Sequence, residues 1–477
     1  MTRIPRIIAI AALAALLTAC ATTKTSTAPP AVDLPAPTAG DLSLERWWTS
    51  FDEPALTALV DEALTNSLDL QAAIARVESA RAQVTLAQAD LLPIVSWGAG
   101  AQRNRSTRVG TNPLPPSFSP LTTDYRLALN ASYEVDLWGK FRTSTRAAQN
   151  DLLASEYARE TVRTAVAAEV ARAYFGLIAA DAQLALLRDT LSLREQTVKL
   201  QTDRAQAGVI GEYDLAQAKA ERDAVAADIA TTQRAVSQFE SALAALAGRS
   251  PREVFAPAVP REPSVAKLLA VPSVPAGLPS AMLERRPDVR QLEKSIVAAS
   301  LRIDRAHLDF LPSVTLTGAL GTESGALRHL FTGPGFIWSA AAGLVQPLLI
   351  TRSLEANVDI AVARREELVA SYKQTVQAAF KDAHDALAAN ETTRAALAAQ
   401  TTRRDNLQRA YELSDLRYKS GYSPYLEVLD AQRQLLQAQT LQILAARDVR
   451  LALVDLAKAL GGGWEYKTAV EPQAAAK

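Results

Sequence analysis

Two acidic residues near the start of the last predicted helix have the type and spacing that most directly suggest chemistry. Glu427 and Asp430 are three positions apart, so a helix places both carboxylates on one face. Repeated by symmetry, they would form stacked acidic rings, which favour cations at a constriction. The alternative is a solvated helix N-terminus, where acidic side chains interact favourably with the helix dipole.

The single cysteine of the chain follows a segment with the features of a secretory signal peptide over residues 1–19. Two arginines lie in its first six positions, and residues 7–17 are apolar. Leu17-Thr18-Ala19-Cys20 resembles a bacterial lipobox, which predicts cleavage before Cys20 and covalent lipid on that residue. Because position 21 is Ala rather than Asp, the predicted destination is the outer membrane, with residues 20–45 as a lipidated flexible tether. The alternative is an ordinary signal peptide with a chance cysteine.

The remaining composition argues against several classes of protein. The 51 basic residues balance the 51 acidic residues, whereas nucleic-acid-binding proteins normally carry a basic excess. The three histidines are scattered without metal-ligand spacing, and Pro287 beside Asp288 is typical of a helix start. The sequence contains no nucleophile elbow, phosphate-binding loop or paired cysteine motif. We therefore expect no enzyme, no metal site, no cofactor other than the lipid, and no nucleic-acid partner.

One pattern occurs twice in the chain. Asp69 and Asp288 are 219 positions apart, and eight later pairs, including Gly208 with Gly421, share an offset of 213. A constant offset over eight pairs predicts two structural repeats. The repeats cover 46–250 and 281–462, with a proline-rich connector over 251–280 and a C-terminal tail over 463–477.

Each repeat is predicted to contain a helix, two strands, a very long helix, a glycine-containing break and a last helix. Apolar residues recur at spacings of three and four along the helices, as in coiled-coil packing. At ~1.5 Å per residue, the long helix would extend about 95 Å. The helices are expected over 55–91, 143–206, 213–247, 281–310, 353–419 and 425–460, and the strands near 93–105, 123–137, 312–322 and 336–348.

The second predicted strand alternates between apolar and polar residues. Tyr125, Leu127 and Leu129 face one way, whereas Arg126 and Asn130 face the other, which is the pattern of a strand between lipid and a wet lumen. After residue 20, no apolar run is expected to reach the ~20 residues of a membrane helix. Four strands are fewer than the about eight of a small closed barrel, and open edges are not tolerated in lipid. We therefore expect several copies to pool their strands, in a number that the residues leave open; the alternative is a soluble four-stranded sandwich.

Taken together, these residues resemble the TolC-like outer-membrane efflux factor family, in particular its lipoprotein (NodT-type) branch. The resemblance covers nearly the whole chain from Cys20 to about residue 462. Besides the lipobox, it rests on Trp47-Trp48 with Phe51 and on residues 133–140 (YEVDLWGK), 284–290 (ERRPDVR) and 425–431 (YLEVLDA). It implies an α+β membrane protein in which a homotrimer forms a long-helix α-barrel and one transmembrane β-barrel. It also implies a periplasmic adaptor protein and an inner-membrane transporter as partners, with the chain as their passive exit duct.

The resemblance further implies roles for the two helix–helix breaks. Gly208, Gly211, Gly421 and Ser423 would lie at the periplasmic tip and contact the adaptor. Tyr418 and Asp214 match family positions that bridge neighbouring helices in the closed state, and Glu427 with Asp430 match the acidic rings of the entrance. At position 423 this chain has Ser where family members can have Arg, so the closing network differs there.

Two other functions fit parts of the sequence. A periplasmic coiled-coil adaptor or scaffold lipoprotein would also contain long helical hairpins, but such adaptors lack four amphipathic strands. An anchored enzyme is the least favoured alternative, because the sequence contains no catalytic group of residues.

Overall fold

A computed structural model describes residues 25–28, 30, 45–111, 113–257, 259–261, 268–269 and 285–463. Cys20 with the signal peptide, most of the tether, most of the connector and the tail after residue 463 lie outside the described residues. The first repeat contains α1 (Pro54–Asn66), α2 (Leu68–Ala89), β1 (Ile94–Arg105), β2 (Leu121–Glu134), α3 (Lys140–Gln206) and α4 (Glu212–Leu246). The short helix α5 (Pro251–Phe255) follows, and the second repeat contains α6 (Pro287–Leu308), β3 (Ser313–Ser324), β4 (Phe336–Val345), α7 (Thr351–Lys419) and α8 (Tyr425–Ala459).

The single helix predicted over 55–91 is wrong, because the chain forms two helices there. Ser67 leaves the helical conformation (φ −54°, ψ 128°) and caps α1. Its backbone nitrogen donates to the Ala63 carbonyl at 2.8 Å, and its own carbonyl accepts from the Gln71 nitrogen at 3.0 Å. Serine and asparagine favour such caps over helix interiors, so Asn66-Ser67 was the local sign of the break.

The strand predicted to run to residue 137 ends at Glu134, because Asp136 caps the start of α3. The Asp136 carboxylate accepts from the backbone nitrogens of Phe141 at 3.1 Å and Arg142 at 3.2 Å. Burial acts to raise the pKa of Asp136, but these hydrogen bonds and the Arg142 guanidinium outweigh it, so the pKa lies below its ordinary value. An alternation pattern alone cannot distinguish such a cap from a further strand residue.

The chain divides into two compact units. One comprises residues 1–31, 77–154 and 292–371, and it contains the sheet. The other comprises residues 32–76, 155–291 and 372–477, and it contains the two helix–helix turns.

The sheet is antiparallel, with strand order β1-β2-β3-β4. Its register aligns Trp97, Leu129, Leu320 and Trp338 in one row across all four strands. Directly opposed residues in antiparallel strands share a face, and the two tryptophans are 73% and 71% exposed in the single chain. The apolar face consists of Val95, Trp97, Ala99, Ala101, Leu121, Thr123, Tyr125, Leu127, Leu129, Ala131, Tyr133, Val314, Leu316, Gly318, Leu320, Thr322, Ser324, Phe336, Trp338, Ala340, Ala342 and Leu344, with Arg103 and Arg105 at one end.

The opposite face of the sheet, the polar face, carries a cross-strand ion pair. Arg126 lies opposite Glu323, with 3.7 Å between the guanidinium and the carboxylate. Ala128 belongs to this face and interrupts its polar pattern, since it is buried against Gly321, where an added Cβ would come within 2.7 Å of the Ala128 Cβ. The two faces thus differ along β2 as its alternation predicts, whereas β4 contributes Ile337, Ser339, Ala341, Gly343 and Val345 to the polar face. Strands β1 and β4 are the edge strands of the described sheet.

The helical unit has an apolar core around the middle of α3. Trp48, Tyr174 and Phe175 are each 1% exposed, and the Phe51 and Phe175 ring centroids lie 4.8 Å apart. Contrary to the expectation that no apolar run approaches the length of a membrane helix, one 18-residue stretch of α3 is long and apolar enough to cross a membrane, and 67% of it is buried inside the protein. A buried core helix can have the same length and apolar composition, so this stretch alone does not indicate a membrane crossing.

Candidate functional site

The turn between α3 and α4 is closed by backbone hydrogen bonds around Gly208. The Gly208 nitrogen donates to the Ala205 carbonyl at 3.0 Å, and the Val209 nitrogen donates to the Arg204 carbonyl at 2.9 Å. This pattern needs a left-handed residue after the helix, and Gly208 has φ +72°. Gly211 is extended and precedes the first turn of α4.

The turn between α7 and α8 repeats this geometry 213 positions later. Gly421 has φ +78°, its nitrogen donates to the Tyr418 carbonyl at 2.9 Å, and the Tyr422 nitrogen donates to the Arg417 carbonyl at 2.9 Å. The Ser423 hydroxyl is buried and has no hydrogen-bond partner within the described part of the chain. The two turns therefore share one backbone motif, as the repeat in the sequence predicts.

Glu427 and Asp430 are both exposed on the first turns of α8. The Glu427 carboxylate lies 3.7 Å from the Arg417 guanidinium. The Asp430 carboxylate lies 3.3 Å from Arg433 and accepts a 2.6 Å hydrogen bond from the Gln434 amide. Each carboxylate thus has an arginine beside it, which lowers the negative field that the pair can produce.

Tyr418 joins the second hairpin (α7 and α8) to the first hairpin (α3 and α4). Its hydroxyl accepts hydrogen bonds from the Arg204 guanidinium and, at 3.4 Å, from the Gln201 amide. The guanidinium carbon of Arg204 also lies 5.5 Å from the centroid of the Tyr418 ring, within cation–π range. The Tyr418 and Tyr425 rings lie 5.5 Å apart at 55°, so one tyrosine contacts both α3 and α8.

Two further polar contacts join the hairpins farther from the turns. Arg194 on α3 is only 2% exposed and donates to the Gln432 amide oxygen on α8 at 2.5 Å. Arg433 on α8 lies 3.6 Å from the Glu221 carboxylate on α4. A guanidinium removed from water needs acceptors in fixed positions, so Gln432 contributes more to this junction than an exposed glutamine would.

Tyr425 lies between these contacts and is partly buried. Burial raises the pKa of the Tyr425 hydroxyl. The neighbouring Tyr418 and Glu221 raise this pKa further, while Arg194 partly opposes the shift. The hydroxyl has no hydrogen bond of ordinary geometry to any described residue. A buried phenol of this kind resists ionisation, so the junction between the hairpins contains a neutral ring next to the Arg194 charge.

A family model for outer membrane efflux proteins matches residues 59–249 and 278–462, which is most of the chain and both repeats. This chain belongs to the outer membrane efflux protein family. It is accordingly an outer-membrane protein that takes part in efflux, with the α+β fold expected from the sequence.

Relatives and solved structures agree with this assignment. The efflux protein is 34% identical over 424 residues to the probable efflux pump outer membrane protein TtgC of Pseudomonas putida, covering 88% of this chain and 86% of the relative. It is 33% identical over 470 residues to the pyoverdine export outer membrane protein OpmQ of P. putida, covering 97% and 98%. The crystal structure of the Campylobacter jejuni CmeC outer membrane channel superposes with a TM-score of 0.84 at 26% identity, covering 92% and 96%.

The predicted site residues of the efflux protein lie in the two turns or on the helices next to them. Tyr418, Glu427 and Asp430 lie close to the turns and make the contacts described above, whereas Asp214 on α4 makes no hydrogen bond or ion pair with Tyr418 among the described residues. Gly208, Gly211, Gly421 and Ser423 occupy the turns themselves. The gating and adaptor-binding roles of all eight residues stay predictions.

Sequence reasoning missed the residues that join the hairpins. These are Gln201, Arg204, Arg194, Glu221, Gln432 and Arg433. Arg204 had one available sign, because it matches Arg417 in the repeat and both lie four positions before a turn glycine. Arg194 had none, since the matching residue is Leu407.

Proposed function

We propose that the efflux protein is the exit duct of a tripartite pump, through which small molecules pass passively while partner proteins supply the energy. The observation that supports this most directly is the four-stranded sheet, which has one apolar face, one polar face and two open edges. A sheet with an apolar exterior and a polar interior suits a barrel around an aqueous lumen. We infer no catalytic activity, in keeping with a family of transport proteins.

The proposed assembly is a homotrimer whose chains pool their strands. One chain supplies four strands, and the edges of β1 and β4 have no partner in the described sheet. Unpaired backbone groups in lipid cost several kcal/mol each, so the edges must pair with other copies of the chain. Three copies of a four-stranded sheet give an even-stranded barrel large enough for a water-filled lumen, and the similarity to solved outer-membrane channels supports this number.

The proposed partners are a periplasmic adaptor protein and an inner-membrane transporter. Residues around the two hairpin turns offer a surface for the adaptor, because several large side chains there are exposed. Val209 is 69%, Tyr213 73%, Tyr422 82% and Leu426 49% exposed. Exposed apolar side chains grouped near two equivalent turns are typical of a protein-binding surface, which supports the roles proposed for Gly208, Gly211, Gly421 and Ser423.

The gate is proposed to lie at the same turns. Tyr418 would hold the second hairpin against the first, and Glu427 with Asp430 would form the acidic constriction. Asp214 remains a proposed member of the closed arrangement through contacts between copies of the chain. The cargo is proposed to be small molecules, in keeping with the pyoverdine export named for the relative OpmQ.

The lipid anchor on Cys20 is also a proposal. It is supported by the lipobox and by the absence of any other cysteine in the sequence. The test is radiolabelled palmitate with Cys20→Ser: the parent should incorporate label and the variant should not. Equal labelling of both proteins would contradict lipidation, whereas the barrel could still insert without the anchor.

Native mass spectrometry and planar-bilayer recording test the duct itself. Detergent-extracted protein should give three copies per particle and ion-conducting channels. A stable folded monomer without conductance would contradict the pooled barrel and favour a periplasmic scaffold lipoprotein instead. Co-purification of the native adaptor with the parent, and its loss when Tyr422 and Val209 are both changed to Asp, would test the adaptor surface.

A further inference from the structure

Two arginines are the only charged residues on the apolar face of the sheet. Arg103 and Arg105 lie on the same face of β1 as Val95 and Trp97, since strand residues two apart point the same way. Their cross-strand neighbours are Thr123 and Leu121. The other residues of this face are apolar or small, apart from threonine, serine and tyrosine, and none is acidic. A face otherwise suited to lipid therefore carries two positive charges at one end.

The position of the arginines follows from the height of the apolar band. Tyr133 and Tyr125 are eight positions apart on this face of β2, which is about 26 Å along a strand at ~3.3 Å per residue. A strand tilt of about 40° reduces this to about 20 Å across the membrane, close to the ~25 Å apolar band between aromatic girdles. Tyr125 opposes Ala101, so Arg103 lies two residues beyond the girdle and Arg105 four. Both arginines thus fall at the level of lipid headgroups.

The end of the sheet identifies the membrane leaflet. Helices α2 and α3 attach where β1 begins and where β2 ends, whereas Arg103 and Arg105 lie at the opposite end, next to the β1–β2 loop. In the proposed function the helices extend into the periplasm, and this inference rests on that assignment. The arginines then face the outer leaflet.

Neither arginine has an acidic partner of its own. Arg103 and Arg105 are exposed and make no ion pair or side-chain hydrogen bond to any residue that the structure describes. The acids at this level of the sheet, Asp124 and Glu323, belong to the polar face, where Glu323 already pairs with Arg126. In the proposed barrel, the β4 edge of a neighbouring copy would not supply an acidic partner either, because the apolar face of β4 contains no acid. Two guanidinium groups at headgroup level, without an acidic partner in the described part of the chain, are therefore available to bind an anionic lipid headgroup.

We propose that Arg103 and Arg105 form a binding site for the phosphate groups of a phosphorylated glycolipid in the outer leaflet. A guanidinium presents a planar fork that binds phosphate oxygens in pairs. Side chains two apart on a strand start about 6.6 Å from each other, so both can reach one phosphorylated sugar headgroup while the acyl chains cover Trp97 and Leu129. The site would hold the outer rim of the barrel in a defined position in the membrane.

The test uses full-length protein and purified lipopolysaccharide as the probe. The variant Arg103→Gln with Arg105→Gln removes both charges and keeps polar, unbranched side chains. The matched control is Arg108→Gln with Arg328→Gln, which removes two charges from loops at the same end; there Arg108 donates to the Phe118 carbonyl and Arg328 contacts His329. Lipopolysaccharide retained per protein after detergent extraction is measured by native mass spectrometry and phosphate assay, and binding of added lipopolysaccharide is titrated.

We expect the Arg103/Arg105 variant to lose about tenfold in lipopolysaccharide affinity, because two charge-assisted contacts are removed. The control should retain parental affinity, and Arg103→Lys with Arg105→Lys should lose less, because lysine keeps the charge but not the fork. Enzymatically dephosphorylated lipopolysaccharide should bind the parent as weakly as the Gln variant binds the intact lipid.

Three results would overturn the site. One is unchanged affinity in the Arg103/Arg105 variant, which would mean that the arginines merely extend into water. Another is an equal loss in the loop control, which would indicate a general charge effect. The third is full competition by inorganic phosphate at equal concentration, which would indicate a free-anion site instead. Single-channel conductance is recorded for each variant: parental conductance shows that the barrel is intact, whereas a parent that forms no channels would refute the proposed function rather than this site.

Discussion

The two hairpin turns have one backbone motif but different side-chain partners. Arg417 and Glu427 at the second turn match Arg204 and Asp214 at the first, each 213 positions earlier. Arg417 lies 3.7 Å from Glu427 within its own hairpin. Arg204 instead reaches the Tyr418 hydroxyl on the other hairpin and makes no ion pair with Asp214 among the described residues. Equivalent arginines therefore stabilise a turn in one repeat and a junction between repeats in the other.

The difference arises from three positions at which the two repeats have different residues. Tyr418, Gln432 and Arg433 provide the contacts of the second hairpin with the first. Their matches in the first repeat are Ala205, Lys219 and Ala220. The side chains of Ala205 and Lys219 cannot accept a hydrogen bond from a guanidinium, and Ala220 has no charge to pair with a carboxylate. Backbone symmetry thus follows from glycine placement, whereas the contacts that join the hairpins depend on side chains that break the symmetry.

The largest effect is expected from Gln432→Leu, which removes the acceptor of a buried guanidinium. Arg194 is 2% exposed, and leaving a buried charged donor unpaired should cost about 2–3 kcal/mol of local stability. The measurement is hydrogen exchange of the α3 amides around residue 194, which should speed up by about one to two orders of magnitude.

The matched control for that change is Lys219→Leu, at the equivalent position of the first repeat. Lys219 is exposed, so its replacement should leave exchange in α3 unchanged. Gln432→Glu should restore protection, because a carboxylate accepts from the same guanidinium. If Gln432→Leu and Lys219→Leu behave alike, the Arg194 contact does not hold the hairpins together.

A double-mutant cycle on Arg204 and Tyr418 should give the second largest effect. Arg204→Ala with Tyr418→Phe removes a charge-assisted hydrogen bond in a partly buried setting, and we expect a coupling of about 1–2 kcal/mol. The same cycle on Arg417 and Glu427, which are 59% and 41% exposed, should give about 0–0.5 kcal/mol, because exposed pairs are screened by water.

Hydrogen exchange of the turn amides and single-channel conductance measure both cycles. Tyr418→Phe should raise conductance if this contact keeps the hairpins together in the assembled channel, whereas Asp214→Ala alone should change it less. Equal coupling in the two cycles would remove the distinction between the turns.

The regular elements could largely be predicted from the sequence. The turn glycines followed from the constant offset, and α3, expected from residue 143, begins at Lys140. Long amphipathic periodicity constrains such helices strongly. The ends of two elements were harder to predict. Ser67 interrupts one apolar pattern and Asp136 ends another. Both do so through hydrogen bonds with the backbone, which a periodic pattern of apolar residues does not reveal.

The residues that join the hairpins could not be predicted in the same way. Arg204 and Tyr418 are 214 positions apart in the sequence, and a heptad-like pattern identifies buried faces without indicating which residues of two neighbouring hairpins oppose each other. Asp214 stays a predicted member of the closed arrangement, whereas within the chain the Tyr418 hydroxyl contacts Arg204, the repeat equivalent of Arg417.

The ionisation of Tyr425 should give a smaller, pH-dependent effect. Because burial raises the pKa of Tyr425 in the folded protein, the stability that its neutral form provides is fully present below the unfolded value of about 10. This stability should be lost as the pH rises from about 10 through the higher pKa of Tyr425 in the folded protein. Over that pH range Tyr425 is ionised in the unfolded chain but still protonated in the folded protein, so ionisation favours unfolding. Exchange of the α8 amides near residue 425, compared between pH 8 and 11 after correction for intrinsic rates, measures this loss.

Tyr425→Phe should remove that pH dependence, and Tyr422→Phe is its control. Tyr422 is 82% exposed and should leave the profile unchanged. The matching position in the first repeat is Glu212, so α4 should show no comparable loss near its own start. An alkaline loss of the same size in α4 would mean that general charge repulsion, not Tyr425, is responsible.

The smallest effect is expected at the acidic pair, where the repeats differ in charge. Glu427 and Asp430 match Asp214 and Gln217, so the second hairpin has one more carboxylate at these positions. In a trimer this pair would contribute six carboxylates around one axis, but Arg417 and Arg433 lie 3.7 and 3.3 Å from them. Glu427→Ala with Asp430→Ala should therefore weaken divalent-cation block of single-channel current by only about two- to fivefold, and less at high salt, where exposed charges are screened.

Removing the neighbouring arginines provides the converse of this change. Arg417→Gln with Arg433→Gln exposes the same carboxylates, and we expect stronger divalent block than in the parent because cations relieve like-charge repulsion. Asp214→Ala serves as the single-charge control from the first hairpin. If neither the acidic nor the basic double variant alters block, Glu427 and Asp430 are solvated residues of a helix start, favoured there by the helix dipole, and the constriction lies elsewhere along the channel.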